Sequence, residues 1–324
     1  MNLNCFKKIA LKVLILFLAS IELTNAIADY PDKPIKMVVP YVSGGVSDVL
    51  GRLFAAKITD LTGKPIVVEN RVGATGRIGY EFGAKASPDG YTVTSTDASL
   101  TMMPGMYSKL NFEYTDLKAV ALIADMPFVI VVNSQSKFST LSDLIKQAKL
   151  EPKRLNFGSS GMGGVNHLVT EMFMSNAGVE FSHIPYKGMG DAVVGLLSNQ
   201  VDLIVTALPT GMNFVKTGKM NGLAISSAKR VTSLPEVPTA TELGLPFVAN
   251  NWIGVTMPKN SPREAFVWWQ KNMSTVMSMP EIKQKILSLG AEPNLLLGEE
   301  FDKMIASDTR KWTEVIRGTN IKME

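Results

Sequence analysis

Ile35-Lys36-Met37-Val38-Val39-Pro40-Tyr41-Val42-Ser43-Gly44-Gly45-Val46-Ser47-Asp48 is the stretch that decides the fold. A β-branched apolar run ends at Pro40 and a loop with two adjacent glycines follows. Asp48 to Leu61 then places Leu50, Leu53, Phe54, Ile58 and Leu61 at helical spacing on one face. Strand, glycine-rich loop and helix form the unit of an α/β protein, and the unit recurs. Pro65 to Glu69 reads as a strand, Arg71-Val72-Gly73-Ala74-Thr75-Gly76 as a glycine loop before a second helix, and Pro88-Asp89-Gly90 as a turn into the strand Tyr91 to Thr96. Phe128 to Val132 reads as a strand, Ser139 as the cap of a helix to about Lys149, and Leu155 to Gly158 as a strand. That strand runs into Ser159-Ser160-Gly161-Met162-Gly163-Gly164 and a helix over Val165 to Ala177. Phe181 to Pro185, Val201 to Thr206 and Leu223 to Ser227 follow as strands. A strand and helices come after Asn250-Asn251-Trp252, with Pro262 and Pro280 near helix starts. The alternation predicts an α/β protein with mostly parallel sheets flanked by helices.

Composition narrows the class. Of 324 residues, 46% are hydrophobic and 19% charged, with 33 Lys+Arg against 29 Asp+Glu; this is the profile of a globular chain able to bury its core without disulfides or a structural metal. The length predicts two domains. The net charge of +4 is small and no basic block stands among aromatic residues, so nucleic-acid binding is not expected. One cysteine and two histidines are too few for a Cys/His zinc site or a disulfide, and no metal or cofactor is expected. Lys7, Lys8 and Lys12 precede the apolar run Val13 to Ile21, and Ala26-Ile27-Ala28 offers the small residues a signal peptidase inspects. Residues 1–28 read as a cleavable signal peptide that takes Cys5 with it, leaving an exported chain from Asp29 that is indifferent to redox conditions.

Three glycine-rich loops, at 43 to 47, 71 to 77 and 159 to 164, fall between a strand and a helix, where ligands of open α/β sheets bind. Glycine lets backbone approach a ligand, and helix N-terminal N–H groups favour an anion, so a carboxylate or phosphate is the natural guest. Catalytic signatures fail. Gly158-Ser159-Ser160-Gly161-Met162 is not a nucleophile elbow, Gly218-Lys219-Met220 is not a Walker sequence, and the first loop is no dinucleotide fingerprint. A Ser/His pair of Ser159 or Ser160 with His167 can be drawn, but nothing marks an orienting acid; His167 reads as held in the first turn of its helix and His183 as structural.

Tyr30-Pro31-Asp32-Lys33-Pro34-Ile35, Val38-Val39-Pro40 leading to Gly44-Gly45 and Asp48, Val67-Val68-Glu69-Asn70-Arg71 with Gly73 and Gly76, and Pro88-Asp89-Gly90-Tyr91 stand in register with later groups. Those are Phe157-Gly158-Ser159 with Gly161, Gly163 and His167-Leu168, then Pro185-Tyr186-Lys187-Gly188, Val201-Asp202, Ala228-Lys229-Arg230, Leu234-Pro235-Glu236-Val237-Pro238-Thr239 and Gly290-Ala291-Glu292-Pro293. In this order they resemble the substrate-binding receptors of tripartite tricarboxylate transporters, the Bug-type family, over essentially the whole mature chain.

The resemblance implies a type II-like two-domain periplasmic binding protein with a hinge and an interdomain cleft. The first domain would be 29–128 plus 251–324 and the second 129–250. It implies a monomeric receptor, not an enzyme, that captures a small carboxylate-type metabolite and delivers it to membrane transporter subunits; the alternative is a ligand sensor for a signalling partner. Carried over residue by residue, Tyr41, Ser43, Gly44 and Gly45 form the first anion loop with Asp48 orienting it. Ser159, Gly161, Gly163 and Gly164 form the second, Thr96, Asp97, Tyr186 and Thr206 lie at strand ends by the cleft, and Asn251 and Trp252 lie near the domain return. Val42-Ser43, Gly164 and Thr206 depart from the usual residues there. Asp97, an anion near an expected carboxylate site, favours a ligand with an amino group or other donor.

Overall fold

The computed structural model describes residues 30–319, so the expected signal peptide at 1–28 lies outside the described residues. The chain divides into a unit ending at Asp32 and one beginning at Lys33; the fold below is that of the second. Its elements are β1 (Ile35–Val39), α1 (Val46–Thr62), β2 (Ile66–Asn70), α2 (Arg77–Ala84), β3 (Thr92–Asp97), α3 (Ser99–Met106), β4 (Leu117–Asn133), α4 (Leu141–Leu150), β5 (Asn156–Ser159), α5 (Val165–Ala177), β6 (Ser182–Pro185) and α6 (Met189–Leu197). They continue with β7 (Leu203–Ala207), α7 (Leu208–Lys216), β8 (Met220–Ile225), β9 (Asn250–Pro258), α8 (Arg263–Ser278), α9 (Pro280–Ser288), β10 (Glu292–Leu297) and α10 (Gly298–Arg317).

The strand order is β2-β1-β3-β9-β4-β7-β5-β6, with β8 and β10 also paired to β4. The outer ladders, β1 with β2 and β3 and β5 with β6 and β7, are parallel. The central ladders of β4 and β9 are antiparallel. β4 is the axis of the fold. Up to Pro127 it pairs with β9 and β10, and from Phe128 onward with β7 and β8. Pro127 has no amide to donate and stands at the changeover, where a lost ladder bond costs least. The sequence showed β4 only from Phe128; Asp125 and Pro127 interrupt its pattern upstream, and bulges against β9 break the alternation.

Helix α1 buries Leu50, Phe54 and Ile58 as its spacing requires, but Leu61, in the last turn, is exposed. Gly51 of α1 lies on β1, where an added methyl group would meet side-chain atoms of Met37 and Val39 at 3.4 Å, an ordinary packing distance. The cap of α4 is Thr140 rather than Ser139: its Oγ1 accepts from the Asp143 amide at 3.1 Å, and Ser139 stands one residue too early. Pro262 and Pro280 do begin α8 and α9. The core is built on fully buried Trp252, Trp269, Trp312 and several phenylalanines; Trp268, beside Trp269, stays half-buried.

Candidate functional site

The register of the ladders brings the loops together. β1 and β3 are parallel with Val38 beside Thr94, and β3 runs antiparallel to β9 until Asp97 faces Ile253. Its carboxyl end therefore points at the start of β9, where Asn250 and Asn251 oppose Pro127 and Met126. From the other side β7 runs against β4 until Ala207 faces Phe128, and β5 and β6 lie parallel to it. Both sets of parallel strands thus end toward one place, the crossing of β4 and β9.

On the first side Asp48 organises the loop. Its buried carboxylate accepts from the Gly44 amide at 3.0 Å, Ser43 Oγ at 3.3 Å, Arg52 Nε at 3.0 Å and Asn70 Nδ2 at 2.8 Å, and Asn70 also donates to the Tyr41 carbonyl. Burial alone would raise the Asp48 pKa, but the bonds from Arg52, Gly44 and Asn70 outweigh it and hold the group down at about 2. Gly44 has φ +87°, which side chains rarely adopt, so the turn depends on glycine. Asp48 is saturated by the protein and shapes the loop, while Ser43 and Gly44 are exposed at its tip.

The Tyr41 side chain turns inward to a cluster that the sequence did not reveal. Its hydroxyl lies 2.8 Å from Ser99 Oγ and 3.3 Å from the Tyr80 hydroxyl, and Tyr80 and Ser99 both bond Asp97. Burial, then the Asp97 charge, pushes both tyrosine pKa values well up. The Ala98 amide donates to Asn251 Oδ1 at 3.3 Å, so Tyr41, Asp97 and Asn251 belong to one connected network. Tyr80 sits mid-helix and Ser99 just past a strand; only the fold joins them to Tyr41.

On the second side Ser159 pairs with His183, not His167: Oγ lies 2.6 Å from His183 Nε2. Ser159 also donates to the Gly161 carbonyl and accepts from the Gly161 amide, each at 3.1 Å. His167 Nδ1 accepts from the Gly163 amide at 3.0 Å, and its Nε2 faces Glu171 at 3.4 Å, which is the first-turn role expected of it. The two imidazoles stack at 3.9 Å, and Phe157 covers His183 at 4.7 Å. Burial first, then His167, lowers the His183 pKa to about 4, with Glu171 acting the other way. A histidine whose folded pKa lies below its unfolded value stabilises the fold fully above pH ~6.5 and loses that contribution as pH falls toward ~4. Urea unfolding from pH 7 to 4 should show a fall in stability over this window, and H183Q should flatten it.

The glycine amides expected to meet a ligand are largely engaged within the loop. Gly161 serves Ser159, Gly163 serves His167, and Gly164 donates to Gly161 O at 3.3 Å. The donors that remain are the first-turn amides of the helices that follow. Gly45 caps α1, Gly164 caps α5 and Gly188 caps α6, each without a side-chain cap bond, leaving N–H groups and the positive dipole end to a ligand or water. Tyr186 lies over Gly195 of α6 and directs its hydroxyl to Gln200 at 3.3 Å. The Thr96 and Thr206 hydroxyls are buried without a partner among the described residues. Trp252 is set in the core, edge-on to Phe301, with its indole N–H donating to Asp308 at 2.9 Å; it faces away from the strand ends. A hollow of about 790 Å³ runs along α5 between Met162 of the second loop, Glu171, Glu180 and Glu314. No helix among the described residues is long and apolar enough to cross a membrane.

Known proteins share this fold. The solved periplasmic binding protein BugD superposes with a TM-score of 0.75 at 29% identity, over 91% of this chain and 100% of that one. A Rhodopseudomonas palustris protein solved with adipate gives 0.78 at 29% identity, again over 91% and 100%. Protein BugT of Bordetella pertussis is 34% identical over 299 residues, 91% of this chain and 92% of that one. The family described as tripartite tricarboxylate transporter family receptor matches residues 50–321. The α/β periplasmic binding-protein fold and these matches agree: the chain belongs to the tripartite tricarboxylate transporter receptor family, whose members are periplasmic solute-binding proteins.

Proposed function

We propose that this protein is a periplasmic receptor that captures a small carboxylate at the β4/β9 crossing and presents it to a membrane transporter. The observation that carries the reading is the convergence of two sets of strand ends on that crossing, each followed by a glycine-capped helix without a side-chain cap. Residues 29–128 plus 251–324 would form one domain and 129–250 the other, with the hinge at Met126–Phe128 and Ala249–Asn251. A ligand touching both helix N-termini favours the closed form by its differential affinity, and closure is what a membrane partner would read. Ser43, Gly44, Tyr41 and Asn251 would serve from one side and the loop 159–164, Tyr186 and Thr206 from the other. The relative solved with adipate supports a carboxylate ligand. Catalysis is disfavoured because Ser159 is fully buried against His183, beyond reach of a substrate carbonyl.

Thermal unfolding of the ligand-stripped mature protein against mono-, di- and tricarboxylates tests this. A ligand that binds only the native state at 100 times its Kd adds about 2.7 kcal/mol, a rise of several degrees in Tm. No shift with any carboxylate would defeat the reading.

A further inference from the structure

Asp97 ends β3 in the row of strand ends, and counting the protons around it shows what it can offer. Its Oδ1 accepts from the Tyr80 hydroxyl at 2.8 Å, from Ser99 Oγ at 2.6 Å and from the Ser99 amide at 2.9 Å. A phenol and a serine hydroxyl carry one proton each, so Tyr80 and Ser99 have none left to give. Both oxygens can now only accept, and Tyr41, 2.8 Å from Ser99 Oγ and 3.3 Å from Tyr80, must direct its single proton to one of them. All three hydroxyl protons point inward, and the cluster keeps lone pairs but no free donor. A ligand carboxylate would meet repulsion here.

The carboxylate itself is incomplete. Three donors reach Oδ1, while no hydrogen bond from a described residue reaches Oδ2. None of the ion pairs among the described residues brings a Lys, Arg or His to Asp97, although the residue is only 7% exposed. Oδ2 is not one of the fully buried, partnerless atoms among the described residues, so it is open to water or to a ligand, and a cation arriving there would offset the cost of burying the rest of the group. The neighbouring Ala98 amide is fixed by Asn251 at the crossing, which places Asp97 beside the proposed site.

We infer that the ligand carries a protonated amino group, received by Asp97 Oδ2, in addition to the carboxylate bound at the helix N-termini: an amino-substituted carboxylate rather than a plain one. This rests on the carboxylate-receptor reading above. Asp97 is then the specificity residue, and Tyr41, Tyr80 and Ser99 position it.

The test compares matched pairs that differ only in the amino group: alanine and propionate, aspartate and succinate, glutamate and glutarate, 2-aminoadipate and adipate. Each would be titrated calorimetrically at pH 7 into the mature protein and into D97N. The substitution keeps the Oδ1 acceptor for its three donors and replaces Oδ2 by an uncharged N–H donor, so the fold is preserved while the acceptor is lost. Wild type should bind the amino member of its best pair about tenfold or more tightly, the range of one charge-assisted hydrogen bond. D97N should abolish or reverse that preference while the plain acid still binds. A purely structural Asp97 would lower both members equally. Equal or tighter binding of the plain acid by wild type, or a preference that survives D97N, overturns the inference and leaves the receptor reading standing. Binding of no member of any pair overturns the inference, while the receptor reading stands or falls on the thermal test with the wider set of carboxylates.

Discussion

Gly254→Val is expected to lower stability by about 3 kcal/mol or more, at the upper end of what overpacking a core costs. Gly254 lies in the middle of β9, opposite Thr96 on β3 and Leu122 on β4. Even a methyl group there would come within 2.5 Å of Phe301 ring atoms and 2.9 Å of the Ala121 carbonyl. The carbonyl is sheet backbone and cannot move without breaking the ladder. The Phe301 ring cannot swing aside either: it is fully buried, edge-on to Trp252 at 5.2 Å, and Trp252 is tethered through its N–H to Asp308. Denaturant unfolding reads the cost as a drop in midpoint at constant slope. Phe301→Leu added to the Gly254→Ala variant should recover part of the loss, since contacting residues couple in a double-mutant cycle; strict additivity would show that the ring is not the obstacle.

This glycine also marks where the sequence stops being legible. The loop at Ser43-Gly44-Gly45 could be read because its causes are local: a strand ends, a glycine takes positive φ, and a helix with evident periodicity begins. Asp48 could be assigned to that loop because it lies four residues away. Gly254 needs glycine only because α10, more than forty residues later in the chain, lays Phe301 across β9, and no window along the sequence contains both. The same holds for the functional cluster. Tyr80 and Ser99 bond Asp97 through a meeting of α2, β3 and the first loop, and Ser159 finds His183 on the adjacent parallel strand rather than His167 on the following helix. Proximity in sequence suggested His167; strand pairing, Ser159 beside Pro185, decided for His183. Trp252 is carried toward the cleft only by the resemblance, yet side chains alternate along a strand, and its face of β9 is the one that α10 covers.

Ser226→Ala is expected to cost about 2 to 4 kcal/mol, a large effect for the loss of one oxygen. Ser226 is fully buried beside the crossing. Its hydroxyl accepts from the Phe128 amide at 2.7 Å and donates to the Ala249 carbonyl; its own amide donates to Phe128 O and its carbonyl accepts from the Ala249 amide, both at 2.9 Å. The residue thereby clamps the first residue of the second ladder set to the residue that leads into β9. Alanine keeps the backbone bonds but leaves one N–H and one C=O buried and unpaired, each worth about 1 to 3 kcal/mol. Water cannot replace the hydroxyl without opening the site. The drop should appear in the unfolding midpoint, with faster amide exchange at Phe128 as its local signature. If the segments at Phe128 and Ala249 are the hinge of the proposed receptor, Ser226 ties both hinge strands into one. Its removal should then weaken ligand affinity beyond any effect of Gly254→Val, whose strain lies within one ladder set. Equal affinities in the two variants, with both folded, would place the hinge elsewhere.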